Sequence, residues 1–348
     1  MTMPAVAGAD AALLRTEGLT RHFRLGGMFS GRQLHAVDGV SLEIRPREIV
    51  ALVGESGSGK TTVARLLALL YRPTSGRIVY DGRPVDRLRS RRDLLWYRGQ
   101  VPTVFQDPYG SLNPVFRVSH GVLRALQLHR PELSPAARQA EAERVFETVG
   151  LSPARRLLRA FPYELSGGQR QRVGFAQALA VQPRLILADE PVSMLDVSIR
   201  IGLLNLMRDL RDQAGVSILF ITHDIASARY LADRMLVMYG GHLVETGPTE
   251  AILGAPRHPY TQLLVASAPD PRQQLTEPAG ALAAEPPRVI DPPDGCRFVG
   301  RCPVAVALCA QRTPALTQLA PEHHAACWVA AAAASGERAQ VAQQVLER

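Results

Sequence analysis

Lysine is all but absent from this 348-residue chain. Among its 40 basic side chains Lys60 is the single lysine, and every other one is arginine. Wherever a cation only has to be solvated the sequence uses a guanidinium. The one compact ammonium therefore marks a place where a planar fork does not serve. Also missing is any apolar run near the roughly 18 residues of a membrane span, which excludes a spanning helix. Met1–Leu14 carries no basic stretch ahead of an apolar one, so no secretory signal is expected and the chain reads as cytosolic. Cysteine occurs only at positions 296, 302, 309 and 327. In a cytosolic protein such thiols are metal ligands or free sooner than disulfides. No heptad pattern is sustained, which argues against a long coiled coil.

What is present is ample for one large core or two smaller ones, since 46% of the residues are hydrophobic. The net charge of +8 would suit nucleic acid or an anionic membrane face. The arginines are dispersed, with local clusters at Arg87–Arg92 and Arg155–Arg159. They read as a solvated surface, and no nucleic-acid partner is expected.

Lys60 lies in Gly54–Thr61, G-E-S-G-S-G-K-T, which matches the phosphate-loop pattern G-x-x-x-x-G-K-[ST]. The apolar run 49–53 before it reads as a buried strand, and 62–70 after it as a helix. Glycines 54, 57 and 59 let the backbone curl so that N–H groups face an anion. The helix N-terminus adds partial positive charge. Lys60 can reach the β- and γ-phosphates, and the Thr61 hydroxyl can ligate Mg²⁺.

Ahead of the loop, 14–23 and 35–44 read as strands, with Gly26, Gly27 and Gly31 between them. Phe23 could stack on an adenine ring or simply pack. After it, 76–80 reads as a strand and Asp81-Gly82 as a turn. Residues 101–107 read as a strand running into Gln106, by itself an ordinary surface amide. Helical periodicity from 115 to 161 marks a helical subdomain. Ser166 caps a helix reaching about Val181, and Gly167-Gly168 leave N–H groups open to a second anion. The run Leu185–Glu190 is a buried strand delivering two acids to a sheet edge. Asp189 is placed to hold Mg²⁺ through water, and Glu190 to orient or deprotonate the attacking water. A helix is expected over 197–214. A strand over 216–221 ends at His223, a candidate γ-phosphate contact. Residues 235–245 read as a hairpin around Gly240-Gly241, 268–295 as linker, and the Ala-rich tail from Ala330 as fraying.

In this order Gly54–Thr61, Gln106, Leu165–Gln169, Leu185–Glu190, Ser193–Asp196 and His223 resemble the Walker A loop, Q-loop, signature motif, Walker B strand, D-loop and H-loop of ABC transporter ATP-binding subunits. The resemblance covers roughly residues 10 to 250. Gln106–Pro114 and Arg257–Thr261, with the cysteine segment, resemble the dipeptide/oligopeptide (and nickel) importers. Glu190-Pro191-Val192-Ser193 looks like one of the two paralogous ATPases that such importers pair.

The resemblance implies an α/β, P-loop NTPase (RecA-like) core with an N-terminal antiparallel β subdomain, an inserted α-helical subdomain and a small C-terminal Cys-containing extension. The expected boundaries are 10–254 for the ATP-binding domain (helical subdomain about 108–172), 255–329 for the extension and 330–348 for the tail. Nucleotide contacts are implied for Phe23, Gly54, Glu55, Ser56, Gly57, Ser58, Gly59, Lys60, Thr61, Thr62, Ser166, Gly167, Gly168, Gln169 and Asp196. Thr61, Gln106 and Asp189 are implied as the Mg²⁺ set, and Glu190, His223 and Gln106 as the catalytic set. In the family the Ser166–Gln169 site of one subunit closes on ATP held by Lys60 of the other. The implied activity is ATP hydrolysis coupled to uptake of peptides or a similar small solute. The implied partners are an identical or paralogous ATPase, two permease subunits and, indirectly, an extracytoplasmic solute-binding protein. The implied location is peripheral, on the cytoplasmic face of the membrane.

The sequence departs from the family at Gln177, where arginine is usual, and at Gly174 and Met194, where alanine is usual. None of the three is a phosphate, metal or water ligand. A non-transport ATPase of DNA repair or the ribosome is the competing reading. The lack of heptads and of a second phosphate loop speaks against it. An inert regulatory subunit is disfavoured by the presence of Lys60, Asp189, Glu190 and His223. Cys296, Cys302, Cys309 and Cys327 are spaced more loosely than a zinc ribbon. The segment resembles the one that holds a [4Fe–4S] cluster in some peptide-importer ATPases. Zinc, free thiols and a disulfide stay open beside it.

Overall fold

A computed structural model describes residues 12–26, 31–107, 110, 112–267 and 289–335. They divide into two compact units. One holds Ile44–Ile49 and Tyr80–Ile221, and the other Arg15–Glu43, Val50–Val79 and the chain from Thr222 onward.

In the first unit Thr103–Val104, Leu185–Asp189 and Ser217–Thr222 run parallel, with Leu187 opposite Thr103 and Leu219. All residues of the last two strands are buried. Such apolar runs suit a parallel sheet covered on both faces. Around them lie the helices Arg91–Gln100, Ser119–His129, Pro135–Thr148, Ala154–Leu157, Gly167–Ala180 and Val197–Ala214.

In the second unit the strand Leu14–Arg24 pairs antiparallel with Gln33–Val40, Leu19 facing Val40 and Arg24 facing Gln33. Ile49–Val53, wholly buried, runs parallel to Arg234–Tyr239. That strand forms a hairpin with His242–Pro248 through Gly240-Gly241. His323–Ala325 and Thr317–Ala320 extend the pairing at the hairpin's outer edge. The architecture is the expected α/β one, with antiparallel strands near the N-terminus.

Several expectations need correction. The strand read over 35–44 is broken into Gln33–Val40 and Glu43–Ile44. At the break the Thr16 hydroxyl donates to the Val40 carbonyl and accepts from Leu42 N–H, both at 3.0 Å. The strand read over 101–107 pairs only at Thr103–Val104. The first helix spans Lys60–Leu67, two residues earlier at its start than read, and Leu69 just beyond it has φ +52°. Helix Arg91–Gln100, of which the sequence shows only the arginine cluster at 87–92, has no apolar stripe to announce it, since just Tyr97 and Gly99 are buried in it. The tail does not fray from 330. Trp328–Ser335 is helical, as five consecutive alanines favour. Most of the expected linker, 268–288, and tail residues 336–348 lie outside the described residues.

Candidate functional site

The phosphate loop leaves the buried strand Ile49–Val53 and enters helix Lys60–Leu67. Glycine is required at both of its hinges. Gly54 and Gly59 have φ of +155° and +106°, and a Cβ there would lie 2.2 Å from the Met238 and Ala36 carbonyl oxygens. Lys60 is 4% exposed. Its Nζ donates to the Gly54 and Glu55 carbonyls at 2.7 and 2.8 Å. Ser58 N–H donates to Glu55 O at 3.2 Å, and Gly241 N–H to Ser58 O at 3.0 Å. Ser56 and Gly57 are exposed, and Thr61 and Thr62 half-buried. Phe23 is half-buried, edge-on to Tyr71 at 5.5 Å, with the Arg21 guanidinium 4.6 Å over its ring. His223 is exposed at the end of strand Ser217–Thr222, and Asp224 beside it caps helix Ile225–Leu231.

The other unit holds the acids. Asp189 ends its strand and is 6% exposed. Glu190 follows at φ +46°, a left-handed backbone that a non-glycine residue rarely holds. It is fixed there by its N–H on Ile221 O at 2.9 Å and by Ser193 Oγ on its carbonyl at 3.0 Å. Gln106 Nε2 donates to Glu190 Oε2 at 3.0 Å, which brings together two residues 84 apart in sequence. Ser166 caps helix Gly167–Ala180. Its Oγ accepts from Gln169 N–H at 3.3 Å, and Gln169 Oε1 accepts from Ser166 N–H at 3.0 Å. Asp196 begins helix Val197–Ala214 without a side-chain cap, and Met194 is 60% exposed. A groove of about 500 Å³ is lined by Val104, Phe105, Asp107, Gln171, Gly174 and Gln177, among others.

The C-terminal segment carries residues that spacing did not single out. Glu245 accepts from Arg257 N–H and His258 N–H, both at 2.8 Å, and His323 Nε2 lies 2.6 Å from its carboxylate. Tyr260 Oη accepts from Glu55 N–H at 2.8 Å. Arg301 pairs with Glu55. Cys296, Cys302, Cys309 and Cys327 line one small cavity of about 10 Å³ with His258, and none is in a disulfide. Burial pushes the Cys296 and Cys302 thiols up to about 11. A tetrahedral zinc would need the sulfurs about 3.8 Å apart. The cysteines do not form a group with ligand atoms within 4.8 Å of one another. The four thiols surround one cavity, which as it stands holds about one water.

Among the described residues, His22, His35 and Asp38 do approach within 4.8 Å. The Asp38 carboxylate is already engaged, by Arg297 at 3.1 Å and by His35 at 2.9 Å. The group reads as an ion-pair knot. No signal in the sequence marked it.

A glycine-hinged loop with a buried lysine, an acid-ended parallel strand and a capped glycine helix together define a P-loop ATPase. Residues 37–193 match the ABC transporter family, and 244–309 match the oligopeptide/dipeptide transporter C-terminal region. The chain is 42% identical over 328 residues to a probable peptide ABC transporter ATP-binding protein of Sinorhizobium fredii, covering 93% of this chain and 92% of that one. It is 39% identical to a putative oligopeptide transport ATP-binding protein of Bacillus subtilis, over 90% of this chain and 94% of that one. Among solved structures, the dimeric ATP-binding cassette MJ0796 bound to ADP and Pi is similar, with a TM-score of 0.61, 28% identity and coverage of 68% of this chain and 98% of that one. The chain belongs to the ABC transporter ATP-binding subunits of the dipeptide/oligopeptide importer family. It is an ATPase, the ATP-binding subunit of a peptide import system.

Proposed function

We propose that this subunit hydrolyses ATP in a two-subunit sandwich and passes the closing motion to a permease that imports peptides or a similar small solute. The phosphates are held by Gly54–Thr62, and Lys60 gives the β- and γ-phosphates a point charge. The adenine lies on Phe23. Ser166–Gln169 and Asp196 serve the nucleotide of the opposite subunit. Thr61, Gln106 and Asp189 would hold Mg²⁺, which neutralises charge on the β- and γ-oxygens when bound. Glu190 accepts the proton of the attacking water, Gln106 orients Glu190, and His223 contacts the γ-phosphate. Residues 10–254 form the ATP-binding domain and 255–329 the extension. A permease segment would dock in the groove lined by Phe105 and Asp107, with the subunit on the cytoplasmic face of the membrane. No helix among the described residues is long and apolar enough to cross one. A solute-binding protein completes the system outside.

The observation that carries this reading is the chain's single lysine, buried with Nζ on two carbonyls of the loop. A phosphate can draw it off. Titration with a fluorescent ATP analogue tests it. Lys60→Ala should abolish binding, there being no other lysine to substitute, and unchanged affinity would contradict the role.

Cys296, Cys302, Cys309 and Cys327 are proposed to hold a [4Fe–4S] cluster. Bound, it would cross-link four parts of a segment with little apolar core of its own. Anaerobic purification with iron and sulfide analysis should give about four irons per chain. Metal-free protein of full stability, matched by Cys302→Ser and Cys309→Ser, would leave free thiols as the answer.

A further inference from the structure

Arg301 ends the short turn Val299–Arg301, immediately before Cys302. Its guanidinium donates two hydrogen bonds to Glu55, the second residue of the phosphate loop. Nη1 reaches Oε2 at 2.9 Å, and Nη2 reaches Oε1 at 3.0 Å. The two side chains are 9% and 17% exposed. The guanidinium also donates to Tyr239 Oη at 3.3 Å, and lies 5.7 and 5.8 Å from the Tyr239 and Phe298 ring centres. A forked, covered pair of this kind is far stronger than a solvated surface pair.

Glu55 is held at three points. Arg301 takes its carboxylate, Tyr260 Oη its N–H, and Lys60 Nζ its carbonyl. The Arg301 end is anchored in turn. Arg297 pairs with Asp38 at 3.1 Å, Asp291 Oδ1 accepts from Gln33 N–H at 2.9 Å, and His35 N–H donates to Val289 O at 2.9 Å. The cysteine-bearing segment is thus stitched to a strand on one side and to the phosphate loop on the other.

We propose that Arg301 is a positioning residue for the nucleotide: by clamping Glu55 it keeps the loop in its anion-binding shape and makes ATP affinity depend on the cysteine-bearing segment. Two effects follow from its loss. The Glu55 carboxylate, freed beside a phosphate site, repels the incoming anion. The loop also gains freedom that binding must then remove. Arg301 touches no reacting atom, so the effect falls on binding and not on turnover.

The test uses the full-length protein, fluorescent-ATP titration and steady-state ATPase kinetics, with thermal melts to follow the fold. Arg301→Ala should raise Kd and KM about tenfold and leave kcat within about twofold. Arg301→Lys keeps the charge without the fork and should fall between. In a Glu55→Ala background Arg301→Ala should add nothing, because a shared interaction gives non-additive effects. If Arg301→Ala does not fold, Arg301→Lys against Arg301→Gln gives the same comparison, with Gln the weaker binder. Unchanged Kd, or losses that add across the cycle, would overturn the proposal. It rests on Gly54–Thr61 being the ATP loop. Binding lost in Lys60→Ala but intact in Arg301→Ala would retain that reading and remove this one.

Discussion

Glu245 and His323 meet with 2.6 Å between Oε1 and Nε2, in side chains 0% and 2% exposed. The same carboxylate receives the N–H groups of Arg257 and His258. One buried acid therefore sets where helix Pro259–Ala266 begins and where strand His323–Ala325 lies. Glu245→Ala would leave the buried His258 N–H and His323 ring, and the part-buried Arg257 N–H, without this acceptor. A loss of about 3–5 kcal/mol is expected in urea unfolding. Glu245→Gln, which keeps an acceptor, should lose less. A change below about 1 kcal/mol for the alanine variant would contradict this account.

Two glycines of the signature helix should respond oppositely to alanine. A Cβ at Gly174 would sit 3.6 Å from Val104 Cγ1, an ordinary contact. Gly174→Ala should stabilise by about 0.5–1 kcal/mol, seen as a higher Tm, because it restricts the unfolded chain. A Cβ at Gly168 would sit 2.4 Å from Ile199 Cγ2 and force a shift. Gly168→Ala should lower Tm.

Acid should destabilise the second unit through His242. Burial, and then the charge of Arg297, push its pKa down to about 4, against the pull of Asp38. Asp38 and Arg297 face it together with His35, and His22 joins them on Asp38. The unfolded chain takes up a proton near pH 6.5 and the folded one only near 4. The stability from neutral His242 is therefore complete above about pH 6.5 and lost as pH falls toward 4, with a slope of up to about 1.4 kcal/mol per pH unit. His258, also lowered to about 4 by burial, adds a parallel share. Denaturant midpoints from pH 7 to 5 should fall, and less steeply in His242→Gln. Equal slopes would contradict the assignment.

Much of the fold was legible because its core strands are unbroken apolar runs. Ile49–Val53, Leu185–Asp189 and Ser217–Thr222 are buried throughout, and the loops beside them carry the chemistry. Glu190 was legible from its place after a buried strand in a chain that carries a phosphate loop, and Gln106 only through the resemblance, since a lone amide is ordinary. Helix Arg91–Gln100 was not legible, because it has a Ser90 cap, with Asp93 N–H on Ser90 Oγ at 3.0 Å, but no apolar stripe. The Arg301–Glu55 pair was beyond any local reading. Its members lie 246 residues apart, and an arginine among so many carries no mark of its own.

Glu190 is where the account is most exposed. It sits at a left-handed backbone position with its carboxylate on Gln106 Nε2. Glu190→Gln keeps that size and shape but removes the base. ATP turnover should fall by about 10²-fold or more, while fluorescent-ATP binding stays within about twofold of wild type and a nucleotide-bound dimer accumulates on a sizing column. Turnover in Glu190→Gln equal to wild type would contradict the assignment of the catalytic carboxylate.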